Sequence, residues 1–221
     1  MARLTDTQVV RTYLENNQGG ILDISYDSEH VFSNIPSSNL RKYITRFVSE
    51  GSLRKISKGI YSIGGNPAED RSRIISHYIE SGHGIPCGKT LLKSLGFINE
   101  NDGAETYLTN KTIGNKMIED LNIQLIGTTS FFMPNDVKAI NTAIDLISNK
   151  HLIDEEKIIE FNELIISLLK DYDDFKLLRS IELRYNRLTY IALANYLKLM
   201  GISNQVMDIY ETKVGVYSNK Q

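Results

Sequence analysis

The sequence predicts an α+β fold that is mainly helical and has three successive parts. Apolar residues recur at helical spacing near the amino terminus and through the last third of the chain, with short β-type runs between them. The 221 residues are enough for one generous domain or two small ones. We therefore predict one domain over 1–65 and a second over 70–221, mixed α/β over 70–134 and helical over 135–210.

The first predicted helix begins after Thr5 or Asp6, because either side chain can accept a hydrogen bond from an unpaired N–H of the first turn. Four apolar residues then recur at helical spacing: Val9, Val10, Tyr13 and Leu14. Gly19 and Gly20 end this helix. The run "ILDIS" that follows is a strand or an extended entry, and "SEHVFSNI" is a short helix or a turn that stops at Pro36.

The next predicted helix is short and cationic, and Ser37 or Ser38 is expected to cap its amino end. Gly51 suits its carboxyl end, since glycine adopts positive φ without a Cβ clash. One face of the helix is apolar and comprises Leu40, Ile44, Phe47 and Val48. The opposite face is polar and comprises Asn39, Lys42, Arg46 and Ser49.

A β-hairpin is predicted directly after this helix. "LRKI" and "IYSI" are short β-type runs, and "SKG" joins them with Gly59 at the position that favours a left-handed backbone. A helix, a turn, a basic helix and then a basic two-stranded ribbon are the element order of a winged helix-turn-helix. The sequence therefore predicts that fold for residues 1–65.

Charge is unevenly distributed along a chain whose net charge is only −2. The segment 38–63 has six basic residues and one acid, a balance of +5, whereas 136–182 has eleven acids and six bases, a balance of −5. This asymmetry indicates separate roles for the two ends, with an anionic partner at the basic one.

Double-stranded DNA is the partner that the basic segment predicts, because a helix fits the major groove and its first residues can reach base edges. Asn39 and Lys42 are expected nearest the bases with Ser38, Arg46 lies further along, and Arg41 is placed to touch phosphate. The wing residues expected at a phosphate strand or the minor groove are Arg54, Lys55 and Lys58. The alternative is a winged adaptor whose charges are merely solvated and whose role is protein contact.

A nucleotide-binding enzyme is a third hypothesis, suggested by Gly88-Lys89-Thr90. A phosphate-binding loop requires a glycine five positions before Gly88, where this chain has His83, and Pro86 removes an N–H from the would-be cradle. We therefore expect a turn that opens an ordinary helix with Leu91, Leu92 and Leu95 pointing inward. His83 and Cys87 lack a third catalytic group, and we predict no enzyme activity, cofactor or metal site.

Four amphipathic helices are predicted after Pro134. Their apolar positions are Val137, Ile140, Ala143, Ile144 and Ile147; Ile158, Phe161, Ile165, Leu168 and Leu169; Phe175, Leu178 and Ile181; and Ile191, Ala194, Leu197 and Leu199. Two strand-like runs, "ETYLTN" and "NIQLIGTTSFF", lie in the middle region before them. The apolar helices offer a face for a homodimer.

The segment "LRKYITRFVSEGSLRKISKGIYSI" resembles the winged helix of the AbiEi-like antitoxins of bacterial abortive-infection and type IV toxin–antitoxin loci. The resemblance rests on the helix that ends at Gly51, the strand 53–56 and the turn Lys58-Gly59-Ile60-Tyr61. It extends through "GIPCGKTLLKSLGF" and "ETYLTN", about the first 130 residues. The resemblance implies an autorepressor of its own promoter that opposes a nucleotidyltransferase-like toxin in phage defence.

A cytoplasmic location is expected, and no membrane partner. The amino terminus "MARLTDTQVV" has no apolar signal core, and one cysteine, Cys87, excludes an internal disulfide.

Overall fold

The computed structural model describes residues 5–80, 82–99, 103–180 and 184–218. It is an α+β structure with two small sheets among predominantly helical segments. Within the described ranges, no helix has both the length and the apolar character needed to cross a bilayer.

The amino-terminal part, residues 5–63, has helices and strands in the order α1-β1-α2-α3-β2-β3. Its first helix starts with a capping box, in which the Thr5 hydroxyl accepts from Gln8 N while the Gln8 side chain accepts from Thr5 N. The strands form one antiparallel sheet in the order β1-β3-β2. The elements are α1 Asp6–Asn16, β1 Ile21–Asp23, α2 Ile24–His30, α3 Ser37–Ser49, β2 Leu53–Ser57 and β3 Ile60–Ile63.

The middle part, residues 67–127, is built on a four-stranded sheet in the order β4-β5-β7-β6. β5 and β7 are parallel, and the two outer pairings are antiparallel. The strands β5 and β7 confirm the two strand-like runs of the sequence, whereas β4 and β6 were not predicted. The elements are α4 Asp70–Ile75, which continues into a π-helical turn Ser76–Glu80, β4 Gly84–Pro86, α5 Lys89–Ser94, β5 Glu105–Thr109, β6 Asn115–Ile118 and β7 Ile123–Gly127.

The helical part, residues 135–218, packs around the predicted apolar face of its first helix, where all five predicted positions are buried. Leu91, Leu92 and Phe97 of the middle part join the same core. The helices are α6 Asn135–Ser148, α7 Ile158–Leu169, α8 Asp174–Ser180, α9 Arg187–Leu199 and α10 Val206–Ser218, the last of which was not predicted.

Four predicted core positions of the middle and helical parts are wrong. Phe175 and Leu199 are 76% and 86% exposed, and Leu95 is also exposed. In α8 the buried apolar residue is Leu177, because the helix is too short for its apolar spacing to fix which side meets α6. Leu178 is exposed for the same reason, and Ile181 lies outside the described residues.

A shared core crosses the predicted boundary at residues 65–70. Ile21 and Ile60 of the first sheet are buried in one cluster with Ile74 and Tyr78 of the next segment and with Leu125 of β7. The edge strands β2 and β6 also meet, where the Ser57 hydroxyl donates to the Met117 carbonyl at 3.2 Å. The amino-terminal part is therefore fixed against the middle sheet by buried contacts.

Candidate nucleic-acid interface

Helix α3 holds the polar face that the sequence assigned to DNA. Leu40, Ile44 and Phe47 are buried on its inner side, so that the opposite side must face outward. Ser38, Arg41 and Lys42 are exposed, and Asn39 is partly exposed. The apolar stripe was therefore correct for these three positions, whereas Val48 is exposed.

The predicted serine cap of α3 is wrong. Pro36 occupies the cap position with no side-chain hydrogen bond, and its carbonyl accepts from Asn39 N at 2.9 Å and Leu40 N at 3.0 Å. Ser37 and Ser38 are the first residues of the helix, because proline's fixed φ makes an extended entry and the helix starts directly after it. The Ser38 hydroxyl is thus not used as a cap.

Left-handed glycines end α3 and turn the hairpin, as predicted. Gly51 has φ +77, and the next residue, Ser52, donates its N–H back to the Phe47 carbonyl at 3.0 Å. Gly59 has φ +80 in the turn between β2 and β3. Lys58 beside it is exposed at the tip, and Lys55 is exposed on β2.

Arg46 forms an ion pair with Glu50, the residue that follows α3. Its Nε donates to Glu50 at 2.7 Å, and Arg11 of α1 reaches the same carboxylate at 3.0 Å. The hydrogen bond from Arg46 and, to a smaller extent, the one from Arg11 lower the pKa of the Glu50 carboxyl. Arg46 is exposed, and its positive charge is partly neutralised where it stands.

Arg54 faces the body of the protein. Its guanidinium makes two hydrogen bonds to the Asp70 carboxylate, at 2.7 and 2.5 Å, and the Asp70 side chain is only 9% exposed. Neighbouring residues of a strand point to opposite faces, so that Lys55 is exposed while Arg54 meets the start of α4. Arg54 therefore ties the hairpin to the middle part.

The fully buried carboxylate of Asp23, at the start of α2, is a second tie. It accepts hydrogen bonds from Tyr78 at 2.8 Å, from Thr112 at 3.0 Å and from Lys116 at 2.5 Å, all residues of the middle part. Burial alone would raise the pKa of Asp23, but the bonds from Lys116 and Ser25 outweigh it and the pKa lies below its usual value. We call these four residues the Asp23 cluster.

The sequence analysis missed the Asp23 cluster. The sequence contains one signal for part of it: an aspartate directly before a helix is a typical cap, and Asp23 does accept from Ser25 N at 2.9 Å. Its other partners are 55 to 93 residues away along the chain. No spacing rule relates residues that far apart.

In the Gly88-Lys89-Thr90 segment, the backbone N–H of Gly88 already donates to another residue of the protein. Gly88 N donates to the buried Asp145 carboxylate at 2.7 Å, which also accepts from the Tyr185 hydroxyl at 2.9 Å. The helix that follows has only six residues. Next to it, burial and the charge of Asp145 raise the pKa of the Cys87 thiol to about 12, which keeps it protonated.

No family model and no curated protein matches this chain. Among solved structures, the chain is similar to the RV2827C protein from Mycobacterium tuberculosis, with a TM-score of 0.30 and 9% sequence identity. The match covers 81% of this chain and 76% of that one. At that level of likeness, the match carries no argument about function.

Proposed function

We propose that this protein is a bacterial DNA-binding autorepressor and the antitoxin of an abortive-infection, type IV toxin–antitoxin system, as the resemblance of its sequence implies. The proposal includes a winged helix-turn-helix over residues 6–63. The element order α1-β1-α2-α3-β2-β3, with the sheet order β1-β3-β2, supports that assignment. In this interpretation α3 is the recognition helix and the β2–β3 turn is the wing.

One observation carries the DNA half of the proposal: four cations lie exposed on α3 and the hairpin. Arg41, Lys42, Lys55 and Lys58 have no carboxylate within ion-pair distance among the described residues. Unpaired surface cations are what a phosphate backbone attracts, with release of its counterions. Ser38 and Asn39, at the start of α3, supply the polar side chains for base edges.

The proposal keeps seven of the eight residues that the sequence predicts to contact DNA. Arg54 is committed to Asp70, so the proposal leaves it out. Arg46 retains a role that depends on how firmly Glu50 holds it. The remaining contacts are Ser38, Asn39, Arg41, Lys42, Lys55 and Lys58.

Salt-titrated binding of a double-stranded oligonucleotide to Lys42→Ala/Lys58→Ala tests the DNA proposal. The observed binding constant should fall about tenfold or more, and the salt slope should become shallower by roughly two ion equivalents. The matched control is Lys93→Ala/Lys198→Ala, which removes two exposed lysines elsewhere. Equal losses in both variants, or no binding by the natural chain at low salt, would overturn the proposal in favour of a protein-contact adaptor.

The antitoxin half rests on the sequence resemblance and on the exposed apolar residues of the acidic helical part. Ile159, Phe175, Leu188 and Leu199 are all more than two-thirds exposed, and the proposal places the toxin contact among such residues. Expression of the adjacent reading frame should arrest growth, and co-expression of this chain should restore it. Normal growth on expression of that neighbour alone would refute the antitoxin role and leave the DNA role standing.

A further inference from the structure

An open cleft lies where all three parts of the fold contribute residues to one lining. It has a volume of about 870 Å³ and is lined by α2, by the loops at one end of the middle sheet, and by residues of the helical part. Small-molecule sites typically occupy about 300–1,000 Å³. The cleft is far larger than a single inorganic ion needs.

Aromatic and apolar side chains line the cleft. On α2, the Tyr26 and His30 rings stack in parallel with centroids 3.9 Å apart, and Lys111 lies 5.1 Å from the Tyr26 centroid. Phe131 and Met133 also line it, and they are 52% and 54% exposed. Stacked rings together with exposed apolar side chains suit a flat, apolar ligand group.

Phe131 is held in this exposed position by its backbone. Its N–H donates to the Arg179 carbonyl at 2.9 Å, and its own carbonyl accepts from the Asn141 amide at 2.7 Å. The Arg179 guanidinium lies 4.9 Å from the ring centroid. Because these contacts fix the ring while leaving half of it uncovered, a ligand would meet a preformed surface.

Charge in the cleft favours an anion. Its lining includes the Arg184 guanidinium and one carboxylate, Glu29, and two further cations lie at the rings beside it, Lys111 at Tyr26 and Arg179 at Phe131. Burial and the nearby charge of Lys111 lower the pKa of His83, so its ring is neutral at pH 7 and suited to hydrogen bonding. The Arg184 guanidinium hydrogen-bonds to Cys87 on one side and still lines the cleft.

We propose that this cleft binds a small organic anion with an aromatic or similarly flat apolar group, which would lie against Phe131 while its charge faces Arg184. This inference does not depend on DNA binding or on an antitoxin role. It follows from the combination of volume, a fixed half-exposed ring and an excess of positive charge.

The test uses 8-anilinonaphthalene-1-sulfonate as the probe, in a fluorescence titration of the full chain. We expect saturable binding with one molecule per chain. Phe131→Ser and Arg184→Ala should each raise the Kd about tenfold, the equivalent of about 1.4 kcal/mol. The uncharged analogue N-phenyl-1-naphthylamine should bind more weakly, and Arg184→Ala should not change its affinity.

Two matched controls separate the cleft from the rest of the surface. Phe175→Ser removes an exposed phenylalanine outside the cleft, and Arg187→Ala removes an exposed arginine that does not line it. Neither should change the Kd, and circular dichroism should report a folded chain for all four variants. Binding that fails to saturate, or equal losses in a cleft variant and its control, would overturn the proposal.

Discussion

In the amino-terminal part, Arg41, Lys42, Lys55 and Lys58 are exposed with no carboxylate partner in the described chain. On the side that faces the middle sheet, charges are paired and largely buried, Asp23 with Lys116 and Asp70 with Arg54. The basic segment 38–63 therefore has two uses that its composition does not distinguish. Removing an exposed cation should change binding, whereas removing a buried partner should change stability.

Lys116→Met should give the largest change, because it leaves the fully buried Asp23 carboxylate without its counter-charge. Breaking a buried pair typically costs about 3–5 kcal/mol. Urea denaturation at neutral pH measures the loss in the free energy of unfolding, and Lys58→Met, at an exposed lysine, is the control. The double variant Asp23→Asn/Lys116→Met should recover much of the loss, and a cost below about 1 kcal/mol for Lys116→Met would contradict the buried pair.

Arg54→Ala should lower the free energy of unfolding by about 1.5–3 kcal/mol, since it leaves the Asp70 carboxylate without its charged donor. Lys55→Ala, one residue along the strand, should change it by no more than about 0.5 kcal/mol. Under conditions where both variants are folded, Lys55→Ala should lower the affinity for DNA more than Arg54→Ala does. A similar stability loss in the two variants would contradict the placement of Arg54 and Lys55 on opposite faces of β2.

The third change concerns Asp27, a buried carboxyl of α2 that accepts a hydrogen bond from Asp23 N at 2.8 Å. Burial, with the nearby Asp23 charge, raises its pKa to about 6. An acid whose pKa is higher in the folded state binds a proton more tightly there, so its contribution to stability falls as pH rises from about 4 through 6.

Asp27→Asn should therefore stabilise the protein at pH 8 by roughly 2–3 kcal/mol relative to its effect at pH 4, because the amide does not ionise and can still accept the bond. Denaturant titrations of both proteins at the two pH values measure the difference. A variant with the same pH dependence as the natural chain would show that Asp27 titrates normally.

The smallest effect is expected from Glu50→Gln. Its ion pairs with Arg11 and Arg46 are on the surface, so the melting temperature should hardly change. The two arginines would then be available for phosphate, and DNA affinity should increase about two- to threefold. Glu15→Gln on α1 removes the same charge from an exposed position that has no ion pair among the described residues. An equal gain in DNA affinity there would mean that only the net charge of the protein matters.

Local signals predicted the elements around α3 well. The apolar spacing of Leu40, Ile44 and Phe47, and the glycines at 51 and 59, each act through the backbone within a few residues. Predictions failed where a short segment had several possible orientations. In α8 the sequence could not choose between Leu177 and Phe175, because only the position of α6 decides which one is covered.

The sequence by itself determined most of the helices and strands, though not α10, β4 or β6, and that 38–63 is a cationic segment. Periodicity, capping and glycine turns depend on neighbours in the chain. Only the tertiary structure decided which cations remain exposed, since Asp70 meets Arg54 across 16 residues and Lys116 meets Asp23 across 93. The cleft beside Phe131 also exists only in the assembled fold, because its walls come from three separate parts of the chain.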